Sequence, residues 1–341
     1  MRLVASAVTS VAMMILVGCE SESQLAKITE GNVSAEEIEN FIRMTTGDLI
    51  FVEGGEFLMG DFGVEYGAEK LPYDVDKDSK PLHKVKLSSY SIAKVKITNR
   101  DYQFYLKVNG VSLRQDTAGN EKFRQITSPP NNPAPLDWFE AEKYCSWLGR
   151  VSQLPFALPT EAQWEFAARS RGRFLMVATD DGTYKVNDDE VVVGRLAGPR
   201  GVNISTSSDR EAFAKEMKWK TGGLTPLPVD RFPPNPLGLY AMTDNGLEWV
   251  KDWYDPDYYK NSPVQDPQGP SQPVYIESDN NYAKVLRGVS RADPLWGGGV
   301  SVQRSYRSPD GYIRGVLSDK SVLSISDKTA RCVVNSELPL N

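Results

Sequence analysis

The chain of 341 residues has one histidine, His83, and three cysteines, Cys19, Cys145 and Cys332. A single imidazole excludes a metal centre built from several histidines. It also restricts a Ser-His-Asp hydrolase to His83, which no nucleophile elbow accompanies. His83 opens an alternating, strand-like segment and reads as structural. Basic residues are in short supply: 39 Lys and Arg face 45 Asp and Glu, a net charge of −6. That balance excludes a nucleic-acid binder that depends on a basic face. Long apolar runs are absent except for Leu3–Val17, too short for a comfortable membrane span. There is no internal repeat and no low-complexity tract, so a solenoid is excluded. A hydrophobic fraction of 40% with seven tryptophans is enough for a real core.

The amino terminus has the layout of a secretory leader: Arg2, then the apolar run. The run ends in Leu16-Val17-Gly18-Cys19, which resembles a bacterial lipobox. The resemblance implies cleavage before Cys19 and its acylation; a plain leader with an incidental cysteine is the alternative. Glu20 after the cysteine points to the outer membrane. The expected organisation is a signal peptide at 1–18, then lipidated Cys19 with a tether and short helix over 19–45, then a single domain over 46–341. The expected location is the periplasmic face of the outer membrane. Loss of Arg2 with the leader leaves a net charge of −7. Cys145 and Cys332 then remain in an oxidising compartment, either as a disulfide or as two buried thiols.

Regular structure is sparse. Ser34–Glu37 predicts a capping box before Ile38, Phe41 and Ile42 at helical spacing. Gly47–Gly60 alternates and turns like a hairpin, and residues 61–80 read as an acidic surface loop. Thr98 caps a helix through Tyr102 and Tyr105. Trp138, Ala141, Cys145 and Leu148 form one stripe of a helix that should stop at Gly149. Thr160–Gln163 opens another helix, carrying Trp164. Pro228–Tyr254 packs prolines and glycines around Glu248 and predicts a loop of defined shape. The pattern is that of a loop-rich α+β domain.

Seven segments together carry a resemblance. They are VEGGEFLMG (52–60), the Pro81–Val85 strand, KITNRDYQFYL (96–106), PLDWFEAEKYCSWLG (135–149), LPTEAQWEFAAR (158–169), GLYAMTDNGLEWVKDWY (238–254) and VLRGVS (285–290). In order and content the chain resembles the formylglycine-generating enzyme, or sulfatase-modifying factor, family. The resemblance implies a complex C-type-lectin-like α+β fold of low regular structure, with several short helices around small antiparallel sheets. It also implies that Cys145 and Cys332 form a structural disulfide.

Catalytic members of that family oxidise a cysteine with copper held by two thiolates, soft ligands suited to Cu(I). In the matching segment Gly298–Ser308, Gly299 and Arg304 stand where those thiolates are expected. The resemblance further implies calcium at Ala241, Asp244, Gly246 and Glu248, as a cage of carbonyl and carboxylate oxygens. Ala241 lacks the side-chain oxygen, and a purely structural Glu248 is the competing reading. A binding groove is expected near Trp296, Gly298, Gly299, Arg304 and Arg307, although Trp296 also suits a core and the arginines also suit internal ion pairs.

The expectation is therefore an anchored, non-catalytic scaffold that binds a protein partner in the periplasm, such as an effector or secretion-system component (type VI immunity or accessory proteins). Calcium is the one cofactor implied, and nucleic acid is not a partner. The alternatives are an enzyme with a non-standard site using Glu248 or Asp252, and a cell-wall glycan binder.

Overall fold

The computed structural model describes residues 33–114, 121–188, 198–277, 281–293, 298–314 and 321–340. Cys19, Trp296 and Gly297 lie outside the described residues. The chain begins with α1 (Ala35–Gly47), β1 (Leu49–Val52), β2 (Gly55–Met59), α2 (Gly63–Tyr66), β3 (His83–Leu87) and β4 (Tyr90–Ala93). Then come α3 (Asn99–Val108), α4 (Glu121–Thr127), α5 (Trp138–Ser152), β5 (Phe156–Ala157) and α6 (Glu161–Ala168). After β6 (Val186–Asn187), β7 (Arg200–Gly201) and α7 (Ser207–Glu216), the long strand β8 (Leu247–Trp253) precedes α8 (Tyr258–Asn261). The last strands are β9 (Lys284–Arg287), β10 (Arg304–Arg307), β11 (Tyr312–Arg314), β12 (Ser321–Leu323), β13 (Lys328–Thr329) and β14 (Val333–Val334). This is the expected α+β architecture of short helices around small sheets. Among the described residues no helix is long and apolar enough to cross a membrane.

Two four-stranded sheets organise the molecule, in the orders β1-β4-β14-β5 and β10-β9-β8-β13. The carboxy-terminal segment joins them. Its β13 pairs parallel with β8 in one sheet, and four residues later β14 lies between β4 and β5 in the other. Cys332, beside β14, is bonded to Cys145 of α5, 187 positions earlier in the chain. Both cysteines are buried within one core cluster, among Tyr144, Trp147, Leu148, Trp249 and Leu286.

Helix starts follow local chemistry. Ser34–Glu37, Thr98–Asp101, Asp137–Glu140, Thr160–Gln163 and Thr206–Asp209 all form reciprocal capping boxes, in which side-chain oxygens satisfy amide groups that have no intrahelical partner. Three expectations are corrected. Pro228–Tyr254 is not a loop throughout, since it ends in the strand β8. Gly47–Gly60 is not a hairpin: β1 pairs with β4 and β2 pairs with β3, so alternation marked the strands but not their partners. Helix α5 runs past Gly149 to Ser152 and ends on left-handed Gln153. Gly149 serves close approach instead, since a Cβ there would lie 3.3 Å from the Leu154 carbonyl oxygen.

Changing both Cys145 and Cys332 to Ala removes a cross-link that closes a long loop. Stability should fall by roughly 2–5 kcal/mol. A urea midpoint unchanged at constant slope would contradict this role.

Candidate functional site

The expected calcium residues do not form a cation cage. Glu248 is fully buried on β8, and its carboxylate already holds two cations. Arg331 donates from Nε to Oε2 at 2.7 Å and from Nη2 to Oε1 at 2.8 Å. Lys96 donates from Nζ to Oε1 at 2.5 Å and to the Gly246 carbonyl at 3.0 Å. Trp164 adds an indole N–H at 2.9 Å. A lysine ammonium thus stands on two of the four expected ligands, the Glu248 carboxylate and the Gly246 carbonyl. Asp244 faces other groups: Arg210 at 2.5 Å and the amides of Ser205, Asn245 and Ala292. Ala241 has left-handed backbone (φ 50°) and no side-chain oxygen to offer. Hard oxygen donors committed to ammonium and guanidinium groups do not suit a divalent ion. Nothing in the sequence paired Lys96 or Arg331 with Glu248, because those pairings span 152 and 83 positions.

A second ionic cluster fills the space behind the expected groove. Arg304 is buried and grips Glu161 through Nε at 2.7 Å and Nη2 at 3.1 Å. Arg287 bridges Glu161 and Glu165 at 2.7 and 2.8 Å. Arg169 completes the row on Glu165 at 2.7 Å. Placing Arg304 on a groove wall is therefore corrected: it is an interior counterion. Arg307 is exposed on β10, with its guanidinium on the Tyr306 carbonyl.

Gly299 (φ 95°) is tightly enclosed. A Cβ there would lie 3.2 Å from Ile204 Cδ1 and 3.3 Å from the Thr243 carbonyl oxygen. The position expected to carry one thiolate thus admits a side chain only with strain and displacement. Of the expected groove residues, Gly298 does line a cleft of about 380 Å³, with Tyr73, Val75, Val289, Arg291 and Gln303. Gly299, Arg304 and Arg307 are not among its walls. His83 packs on Tyr259, with ring centroids 4.7 Å apart.

Asp252 is a strongly perturbed carboxyl. Burial and then the neighbouring Glu161 charge push its carboxyl up to about 7. Its Oδ2 accepts the Glu161 amide at 2.9 Å, and it is 3% exposed. Glu248 moves the other way. Burial raises it, but Arg331 and Lys96 outweigh that and hold it at about 2.

A carboxyl depressed in the folded state stabilises above its unfolded value and loses that contribution as pH falls. The Glu248 contribution should be complete above the ordinary value of 4.5 and should disappear as pH falls towards about 2. Glu248→Gln should cost roughly 3–5 kcal/mol by leaving Arg331 and Lys96 without their counterion, and should flatten the acid limb of stability against pH. Denaturant titrations from pH 3 to pH 7 check both; an unchanged acid limb would contradict the assignment.

The comparisons agree with this fold. A family model for the sulfatase-modifying factor enzyme 1-like domain matches residues 34–311. The chain is 27% identical over 292 residues to the formylglycine-generating enzyme of Streptomyces coelicolor, covering 73% of this chain and 79% of that protein. It is 30% identical over 271 residues to the serine/threonine-protein kinase pkn1 of Chlamydia pneumoniae, covering 75% of this chain. It spans only 35% of that kinase's length. The structure of PvdO from Pseudomonas aeruginosa superposes with a TM-score of 0.52 at 23% identity, covering 84% of this chain and 93% of that one, which is a likeness of fold. The chain belongs to the sulfatase-modifying factor enzyme 1-like domain family.

Proposed function

We propose that this chain uses the family fold as a non-catalytic scaffold that binds a protein partner, held at the periplasmic face of the outer membrane by a lipid on Cys19. One observation carries the reading: the two positions expected to supply copper thiolates are Gly299, tightly enclosed, and Arg304, the bidentate partner of Glu161. A buried guanidinium repels a copper ion, and Gly299 brings no sulfur. The only other cysteines among the described residues are tied together as Cys145–Cys332. The cleft beside Gly298 is a concave surface suited to a partner's chain. An effector or secretion-system component of the cell envelope is the partner class that fits the anchor, a type VI immunity or accessory role being the specific case.

Purified protein should contain no stoichiometric copper or iron and should consume no oxygen with a cysteine-containing peptide. Metal at one equivalent together with oxygen uptake would defeat the scaffold reading. Replacing residues 1–19 with a secretory leader that is cleaved without acylation should move the chain from the membrane fraction to the soluble periplasmic fraction; retention in the membrane would defeat the anchor. Affinity capture from the native envelope, with Gly298→Trp blocking the cleft as the control, identifies the partner. Capture undiminished by that change would remove the cleft from the interface.

A further inference from the structure

A small cavity is walled by Arg210 of α7, by Asn245 and Gly246 before β8, and by Lys328 and Thr329 of β13. Arg291 lines both this cavity and the cleft beside Gly298. Neither the family match nor the scaffold reading uses the smaller space. Its volume is about 20 Å³. One buried water needs roughly 10–15 Å³, and organic ligands need roughly 300 Å³ or more. The space therefore admits a single atom or ion.

Two side chains on the wall, Arg210 and Thr329, are each 1% exposed and keep an unused polar atom. Arg210 Nη1 donates to the Thr225 carbonyl at 3.0 Å and to Asn245 Oδ1 at 3.3 Å. Its Nη2 donates to Ser205 Oγ at 2.8 Å and to Asp244 Oδ1 at 2.5 Å. Its Nε–H has no partner among the described residues. Thr329 Oγ1 has none either. The methyl of Thr329 packs on Gly246, where a Cβ would lie 3.2 Å from Cγ2, so the hydroxyl turns to another side. Buried polar atoms are nearly always satisfied, and two orphans on one small cavity call for a common occupant.

Charge decides which occupant. Arg210, Arg291 and Lys328 line the space, against Asp327 alone. Lys328 pairs with Asp327 at 2.9 Å, and Arg210 pairs with Asp244. Arg291, which is exposed, forms no ion pair among the described residues. Its guanidinium lies below its ordinary value, chiefly because part of it is buried; Asp327 opposes that shift and the Arg210 charge adds to it. One positive charge is thus in surplus. A metal ion would be repelled by the guanidiniums. A water would accept from the orphaned donors and leave the surplus charge in place. A small anion answers both needs, since Arg Nε only donates and a threonine hydroxyl can donate.

We propose that this cavity binds one monovalent anion of halide size, chloride being the natural case, which accepts hydrogen bonds from Arg210 Nε–H and Thr329 Oγ1–H while Arg291 stands at the mouth. The ion ties α7 to β13. It also offsets the charge of an arginine that the cleft presents to a partner.

In crystals grown with sodium bromide, anomalous scattering should place one bromide within hydrogen-bond reach of Arg210 Nε and Thr329 Oγ1. In solution, the intact protein is held in a neutral detergent with gluconate, too large for the cavity, as the only anion. Chloride replacing gluconate at constant ionic strength should raise the thermal midpoint saturably. Thr329→Val keeps the shape and removes the hydroxyl. It should raise the chloride concentration for half the effect about tenfold, the scale of one hydrogen bond to a charged group. Arg291→Gln, an exposed change, should raise it about threefold. Water alone in the cavity, or a midpoint indifferent to chloride, overturns the proposal. Bromide in the crystal without any chloride dependence in solution is an adventitious ion only, and overturns it as well. A chloride effect unchanged in Thr329→Val is a general salt effect and overturns the site, and one unchanged only in Arg291→Gln overturns the part given to Arg291.

Discussion

The carboxylate of Glu248 is the point on which the molecule turns. It is fully buried on β8, and it is met by Arg331 from between β13 and β14, by Lys96 from the segment after β4, and by Trp164 from α6. These groups come from a strand of one sheet, from segments that adjoin strands of the other, and from α6. A buried charge without partners is costly, so this arrangement leaves few alternative registers for the carboxy-terminal segment. Arg331 must reach the carboxylate, and Cys332, the next residue, must then meet Cys145. The covalent link and the ion pair act on neighbouring residues and reinforce one placement.

The same logic governs the Glu161 and Glu165 cluster. Two carboxylates face Arg169, Arg287 and Arg304, and the guanidinium forks also satisfy carbonyls of Leu58, Asp78 and Ser301. Arginine suits this role because its planar donors pair bidentately with carboxylates. The interior is consequently held by directional charge pairs as well as by apolar packing. That has a functional consequence. Oxygen atoms committed to internal cations are not free to hold a metal.

Among the cavities lined by described residues, two differ in kind. The cleft beside Gly298 mixes Tyr73 and Val75 with Arg291 and Gln303, which suits a polypeptide with both apolar and polar groups. The chamber under α1 is mostly apolar, although Asn40, Thr45 and the buried Lys96 also line it.

Much of the architecture was legible in the residues alone. The capping boxes at Ser34 and Thr160, the α5 stripe through Cys145, and the ordered motifs from Val52 to Ser290 are local chemistry, and local chemistry shows in a sequence. The lack of sulfur at Gly299 and Arg304 was equally plain. Only the tertiary structure decided what each charged side chain faces. Lys96 was only the first residue of a shared motif, and Arg304 looked like a groove wall, because pairing across a hundred residues or more leaves no periodic mark. The partners of β1 and β2 were hidden for the same reason: alternation tells which face is buried, whereas the neighbouring strand is chosen by the packing of the whole chain.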